Sequence, residues 1–235
     1  MNLLYLVLLA IVVFLATLIC FERKSVWSTI IAALGIGGIV NANFFNASDY
    51  PIDVFGWDFG IDSIIFTLFI FTVILKFLYQ GKKEAYIFTL SAVAAVMFAA
   101  VYEVVAKAFT VGHSEEIWRH FGGFIISIVA TIAACSAIIE IMDLLRKKSK
   151  IHDFWSVLIG LIVATLVNST IYYGLYSVVT NTELVIELVY TSYFGKLIAI
   201  AFAMMTFGFM KLIERRIKRI EQKKAEDKTK SIEES

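Results

Sequence analysis

The 235-residue chain is 60% hydrophobic and 17% charged, with a formal net charge of +1, against roughly 45 to 50% apolar usage in soluble domains. Those values exclude an ordinary soluble domain, and the near-neutral balance excludes the strong basic or acidic field that marks nucleic-acid partners or acidic substrates. Cys20 and Cys135 both sit inside apolar runs, so neither a disulfide framework nor a metal pair with ligand spacing is indicated.

A transmembrane helix needs about 20 mostly apolar residues to cross about 30 Å of hydrocarbon. Seven runs meet that demand, at residues 2–21, 26–45, 60–80, 85–110, 119–145, 154–179 and 185–213. The first has no basic segment before it and no small-residue cleavage site after it, and so reads as a retained span rather than a removed signal peptide. In the second, Gly35, Gly37 and Gly38 allow close approach of a neighbouring helix. The single proline, Pro51, falls in the loop that follows, so no span carries a proline break. Sheets are not expected, because the runs lack sustained alternation and are too long for barrel strands. The expected fold is therefore all-α, a polytopic membrane helix bundle. It comprises a transmembrane helical domain at 1–213 and a charged cytoplasmic tail at 214–235, in which the last helix continues for a turn or two before fraying.

Charge sorts the breaks between spans. Glu22-Arg23-Lys24, Lys82-Lys83-Glu84, Arg146-Lys147-Lys148 with Lys150, and the tail from Arg215 are basic. Asp49 with Asp53 and Asp58, Glu115-Glu116, and Glu183 are acidic, and the two kinds alternate. Cytoplasmic loops carry the Lys/Arg excess, so the basic breaks face inward, the N-terminus outward and the C-terminus inward. Trp27, Trp57, Trp118 and Trp155 all fall near proposed helix ends, at headgroup level.

An ionisable side chain near the bilayer centre costs at least about 2.5 to 3.5 kcal/mol on insertion scales, so each one asks for a reason. Lys196 is the foremost candidate. It lies eleven residues into the last run, roughly 16 Å at 1.5 Å per residue. Asn41, Asn43, Asp62, Glu103 and Asn168 gather in the outer half by the same measure and are candidates to line one outward-facing cavity with it. Tyr102, Tyr172, Tyr173 and Tyr190 lie at similar depth and offer flat aromatic faces with hydrogen-bonding tips. Such a lining suits a small, planar, polar molecule. A purely structural role is the competing account: Lys196 pairs with Glu103 or Asp62, and the asparagines bond between helices. Asp62 also suits the first turn of its helix, where the dipole favours an anion, and Glu103 stands four residues before Lys107, the favourable order for an intrahelical pair.

Glu140 and Asp143 lie one turn apart near the inner end of the fifth run, beside Arg146 and Lys147, and read as a solvated helix end. His113 and His120 flank Glu115, Glu116 and Arg119 without a recognisable metal spacing. Hydrolase, nucleotide-loop and zinc-protease signatures are absent. An enzyme is therefore disfavoured, and no cofactor or metal is called for.

Several blocks resemble the membrane family of queuosine precursor transporters, also called the vitamin uptake transporter family, whose architecture is similar to that of substrate-binding subunits of energy-coupling-factor transporters. They are GIDSIIFTLFIF leading to YQGKKEA, EIMDLLRKK, WSVLIGLIVATLVNSTIYYGLY, and YFGKLIAIAFAMMTFGFMKLIERR. The chain departs from the family where an Asp and a Glu are usual before a Tyr-Gly pair. Gln80 separates Tyr79 from Gly81, and Thr67 stands in place of a proline. The resemblance matches Lys196 to a lysine of the final span, sets Asn168 where an acidic residue is common, and makes Glu140 a substitute for an aspartate. It implies import of a deazapurine precursor or a comparable vitamin-like molecule.

The resulting expectation is an uptake transporter or substrate-binding subunit in the cell membrane, with a bacterial plasma membrane implied. Its partners are the lipid bilayer, a small-molecule substrate, and an energy-coupling module or a second copy; nucleic acid is not among them. The site set is Lys196, Asn168, Asn41, Asn43, Glu103, Asp62 and Tyr172. The alternatives are a membrane scaffold or accessory subunit that docks a partner and, remotely, a retinal-binding photoreceptor with Lys196 as the Schiff-base lysine. Ser192 stands where an aspartate would be expected four residues before that lysine.

Overall fold

The computed structural model describes residues 51–54, 57–110, 115–148, 152–180 and 186–233. Long apolar runs without proline become helices because in lipid every backbone N–H and C=O must be satisfied within the segment. Five helices follow in chain order: α1 Ile61–Gln80, α2 Lys82–Thr110, α3 Glu115–Lys148, α4 Asp153–Thr180 and α5 Ile186–Glu233. They match the third to seventh apolar runs to within a few residues, except at the end of α5. The first two runs, with Asn41 and Asn43, lie outside the described residues. Among the described residues, three of the helices, α3, α4 and α5, contain stretches long and apolar enough to cross a membrane, and α1 adds a shorter apolar stretch at Ile65–Gln80.

Hydroxyl groups within these helices largely bond back along their own backbone. Thr72, Thr89, Ser91 and Thr206 donate to the carbonyls of Leu68, Ala85, Ile87 and Phe202, each four residues earlier, at 2.8 to 3.0 Å. This removes an unsatisfied donor from the apolar interior.

The bundle is organised around α1. It packs against each of the other four helices, while α2, α3, α4 and α5 otherwise pack chiefly in sequence order, each against the next. Phe69, Ile70, Val73 and Ile74 of α1 are accordingly at or below 1% exposure. Large apolar side chains also remain on the outside, among them Leu90, Phe98, Val178 and Leu212. Exposed patches of this kind are unfavourable in water and appropriate against lipid tails. The chain is thus a helical membrane bundle.

Two features correct the sequence expectation. The first is that the all-α fold carries a small antiparallel hairpin, β1 Pro51–Val54 and β2 Trp57–Gly60, with Pro51 opposite Gly60 and Val54 opposite Trp57. Pro51 is tolerated because it is the first residue of its strand, and Trp57 opens β2, four residues before α1 begins. An isolated hairpin is marginal in water; here β2 packs against α5 and α1. The second is that α5 does not fray after a turn or two but continues to Glu233. Residues 214–233 lack Gly and Pro and are rich in Lys, Arg, Glu and Gln, all good helix formers. They add about 30 Å of helix at 1.5 Å per residue.

The α1–α2 junction is a single residue. Gly81 has φ +95°, its N–H donates to the Phe77 carbonyl at 3.0 Å, and its own carbonyl accepts from Ala85 N–H at 3.2 Å. It ends one helix in the left-handed conformation while starting the next.

Candidate functional site

The site is built where α4 and α5 meet α1. Lys196, on α5, is 4% exposed. Its Nζ donates to Asn168 Oδ1 at 3.0 Å and to Ser169 Oγ at 2.8 Å, both on α4. The same ammonium lies 5.4 Å from the centroid of the Phe66 ring on α1, a desolvated cation–π contact of about 2 kcal/mol in scale. Asn168 and Ser169 are themselves buried. Hydrogen bonds to a charged donor contribute about 1.5 to 3 kcal/mol each, so this polar clamp is a major tie between the two helices. It also keeps the ammonium, with three donors, fixed at one level of the bundle.

One turn before these acceptors on α4, Thr165 Oγ1 is buried with no hydrogen-bond partner among the described residues; Ser156 Oγ is the other such hydroxyl. Thr165 and Ser169 are four residues apart on one helical face. One turn after them, Tyr172 sets its ring edge-on to Tyr173 at 5.3 Å and stacks with Tyr176 at 6.1 Å and 15°. Hydroxyl and amide groups and a tyrosine cluster therefore follow one another along α4, with the Lys196 ammonium set against them from α5. Such a set can hydrogen-bond the edge of a planar polar molecule and stack on its face.

Of the residues singled out in the sequence, Lys196 and Asn168 are brought into direct contact, and Tyr172 lies one turn beyond Asn168. Asp62 is on α1, one turn before Phe66, and Glu103 is on α2; their side chains are outside those described. Lys196 bonds into α4, and the expected pairing of Lys196 with Glu103 or Asp62 falls on side chains outside those described. Tyr190 is 68% exposed. Ser169, Phe66 and Thr165 were not anticipated as site residues. Ser169 was legible as the hydroxyl next to Asn168, whereas Phe66 had no signal to separate it from the other phenylalanines of α1.

A second polar region closes the opposite end of the bundle. Lys82, on α2, bonds Glu140 at 2.8 Å and Asp143 at 3.4 Å on α3. Tyr86 Oη donates to Glu140 at 2.7 Å, and Lys147 bonds Asp143 at 2.8 Å. Glu140 thus belongs to an exposed ionic network rather than to the Lys196 site. The hydrogen bond to Glu140 holds the Lys82 ammonium above the ordinary lysine range. Beside it, Asp153 at the start of α4 lies 4.0 Å from Arg146 of α3 and 3.3 Å from Lys211 of α5. Lys211 also bonds Glu214 at 3.2 Å and sits over the rings of Tyr79 and Phe207. His152 caps α4, accepting at Nδ1 from Phe154 N–H at 3.2 Å.

Comparison with protein-family models, curated proteins and solved structures gives no match for this chain. The class defined by the fold and the site is a helical membrane bundle with a buried lysine clamp between two of its helices.

Proposed function

We propose that the chain is a membrane uptake transporter or substrate-binding subunit for a small planar, vitamin-like or deazapurine-like molecule, with seven spans, its N-terminus outside and its C-terminus in the cytoplasm. The observation that carries the reading is the burial of Lys196 against Asn168 and Ser169, followed outward along α4 by Tyr172 and Tyr176. The ligand enters from the outer side, exchanges hydrogen bonds with Asn168 and Lys196, stacks on the tyrosines and leaves inward. The family resemblance of the sequence supplies the direction and the ligand class, and the alternating loop charges supply the orientation. Asp62, Glu103, Asn41 and Asn43 remain candidates to complete the outer lining.

The test is a thermal-shift screen of the purified full-length protein against a panel of nucleobases, deazapurines and vitamins. A hit is expected to raise the melting temperature in a concentration-dependent way, and Lys196→Ala is expected to abolish the shift while the protein stays monodisperse. Unchanged binding by Lys196→Ala removes Lys196 from the site.

One observation favours a second reading, a scaffold or accessory subunit. The hydrogen bonds from Lys196 to Asn168 and Ser169 join two helices of the same chain, as a packing device would. Co-purification of a stoichiometric partner together with silence across the ligand panel would establish that reading.

A further inference from the structure

The α4–α5 seam carries polar clamps at two levels. Lys196 meets Asn168 and Ser169 at one, and Lys211 meets Asp153 at the other. Lys196 and Lys211 are fifteen residues apart on α5, as Asn168 and Asp153 are on α4, so the two helices run antiparallel in register over about 22 Å at 1.5 Å per residue. At the levels in between, the buried residues include Val157, Leu161 and Ala164 on α4 and Ile200, Met204 and Phe207 on α5, with Ala199 and Ala203 among them. The buried hydroxyl of Thr165, without a partner among the described residues, lies just inward of the Lys196 clamp.

The seam on the other flank of α4 is built differently. A Cβ at Gly160 would meet Ile138 Cδ1 at 3.0 Å and Cγ1 at 3.1 Å, so α3 and α4 are closely fitted and move most easily as a unit. The inner ion pair is also arranged to break without stranding a charge. On separation Asp153 keeps Arg146 of α3, and Lys211 keeps Glu214 and the face of Phe207, both on its own helix. Removing one partner of a pair is costly when it leaves an uncompensated charge; here both ions retain a partner on their own side of the seam. That is the property of a reversible latch between two discrete packings.

We propose that the α4–α5 seam from Lys196 to Lys211 is the inward release path, and that the Asp153–Lys211 ion pair is the latch that holds it shut. The proposal rests on the uptake reading and orientation given above. Breaking the latch lets α5 part from the α3–α4 unit, exposing the seam, with Thr165 as the first polar group met below the lysine.

The test uses the full-length chain carrying Cys20→Ser, Cys135→Ser and Ala203→Cys, in sealed vesicles of both orientations, with a membrane-impermeant charged maleimide as the probe. In this parent, labelling at position 203 is slow from both faces. Asp153→Asn is expected to raise the rate about threefold to fivefold from the face that bears Lys211 and to leave the other face unchanged. Lys211→Gln is expected to do the same, while Lys211→Arg retains the slow rate. A parent-like rate in both neutralising variants overturns the proposal, as does an equal rise from both faces, which is general loosening. If Asp153→Asn fails to fold, Lys211→Gln decides alone. The labelling needs no ligand, so binding that depends on Lys196 without face-specific labelling removes the latch and leaves the uptake reading. Silence of the whole ligand panel removes the release path whatever the labelling shows.

Discussion

Lys196 and Lys211 stand on the same helix and both bridge to α4, yet their surroundings differ. Lys196 is buried, and its bonds to α4 end on an amide and a hydroxyl. Lys211 is about a quarter exposed and bonds two carboxylates, Asp153 and Glu214. Formal charge would rank the second contact as the stronger, and burial reverses the order. Exposed ion pairs typically contribute about 0 to 1 kcal/mol, whereas breaking up a buried hydrogen-bonded charge costs about 3 to 5 kcal/mol. The buried clamp thus fixes the packing, and the ionic end is free to exchange partners.

The sharpest way to break this comparison is Asn168→Leu, which deprives the buried ammonium of an acceptor. We expect a loss of about 3 kcal/mol, read as the largest fall in melting temperature of any single variant considered. Adding Lys196→Met should recover most of that loss, because the charge that needed the acceptor is gone. If Asn168→Leu alone melts like the parent, the clamp is not structural. Smaller is Gly160→Ala at the α3–α4 seam, expected to lose about 1 to 2 kcal/mol by overpacking against Ile138.

Gly81→Ala tests the α1–α2 turn rather than a packing surface. Nothing lies within 4 Å of the added Cβ, so the expected loss of about 1 kcal/mol comes from the left-handed backbone alone. The smallest effect belongs to Asp153→Asn, below about 1 kcal/mol in the same melt. A loss as large as that of Asn168→Leu would erase the distinction between the two levels of the seam.

Much of this arrangement can be followed from particular residues. The runs at 60–80, 85–110, 119–145 and 154–179 become helices within a few residues of those bounds, because apolar length and the absence of proline are local properties. The same local properties explain where the expectation stopped short. Residues 214–233 have strong helix formers and a Glu214–Lys218 pair four residues apart at 3.3 Å, a signal that favours continuation over fraying. The Asp53–Asp58 loop conceals a hairpin because the pairing of Val54 with Trp57 spans only two intervening residues. Lys196 announced itself by depth, and Asn168 by polarity within an apolar run.

By itself the sequence determined that the chain is a helical membrane protein, where most described helices begin and end, and that Lys196, which is buried, is a charged residue set within an apolar run. These follow from composition along one dimension and from the need of each lipid-exposed backbone to satisfy its own hydrogen bonds. Only the tertiary structure decided that Lys196 meets Asn168, Ser169 and Phe66, that Glu140 belongs to the ionic end, and that two clamps share one seam. Those outcomes depend on the rotation and vertical register of each helix against its neighbours, which are set by side-chain packing across the bundle rather than by any pattern along the chain.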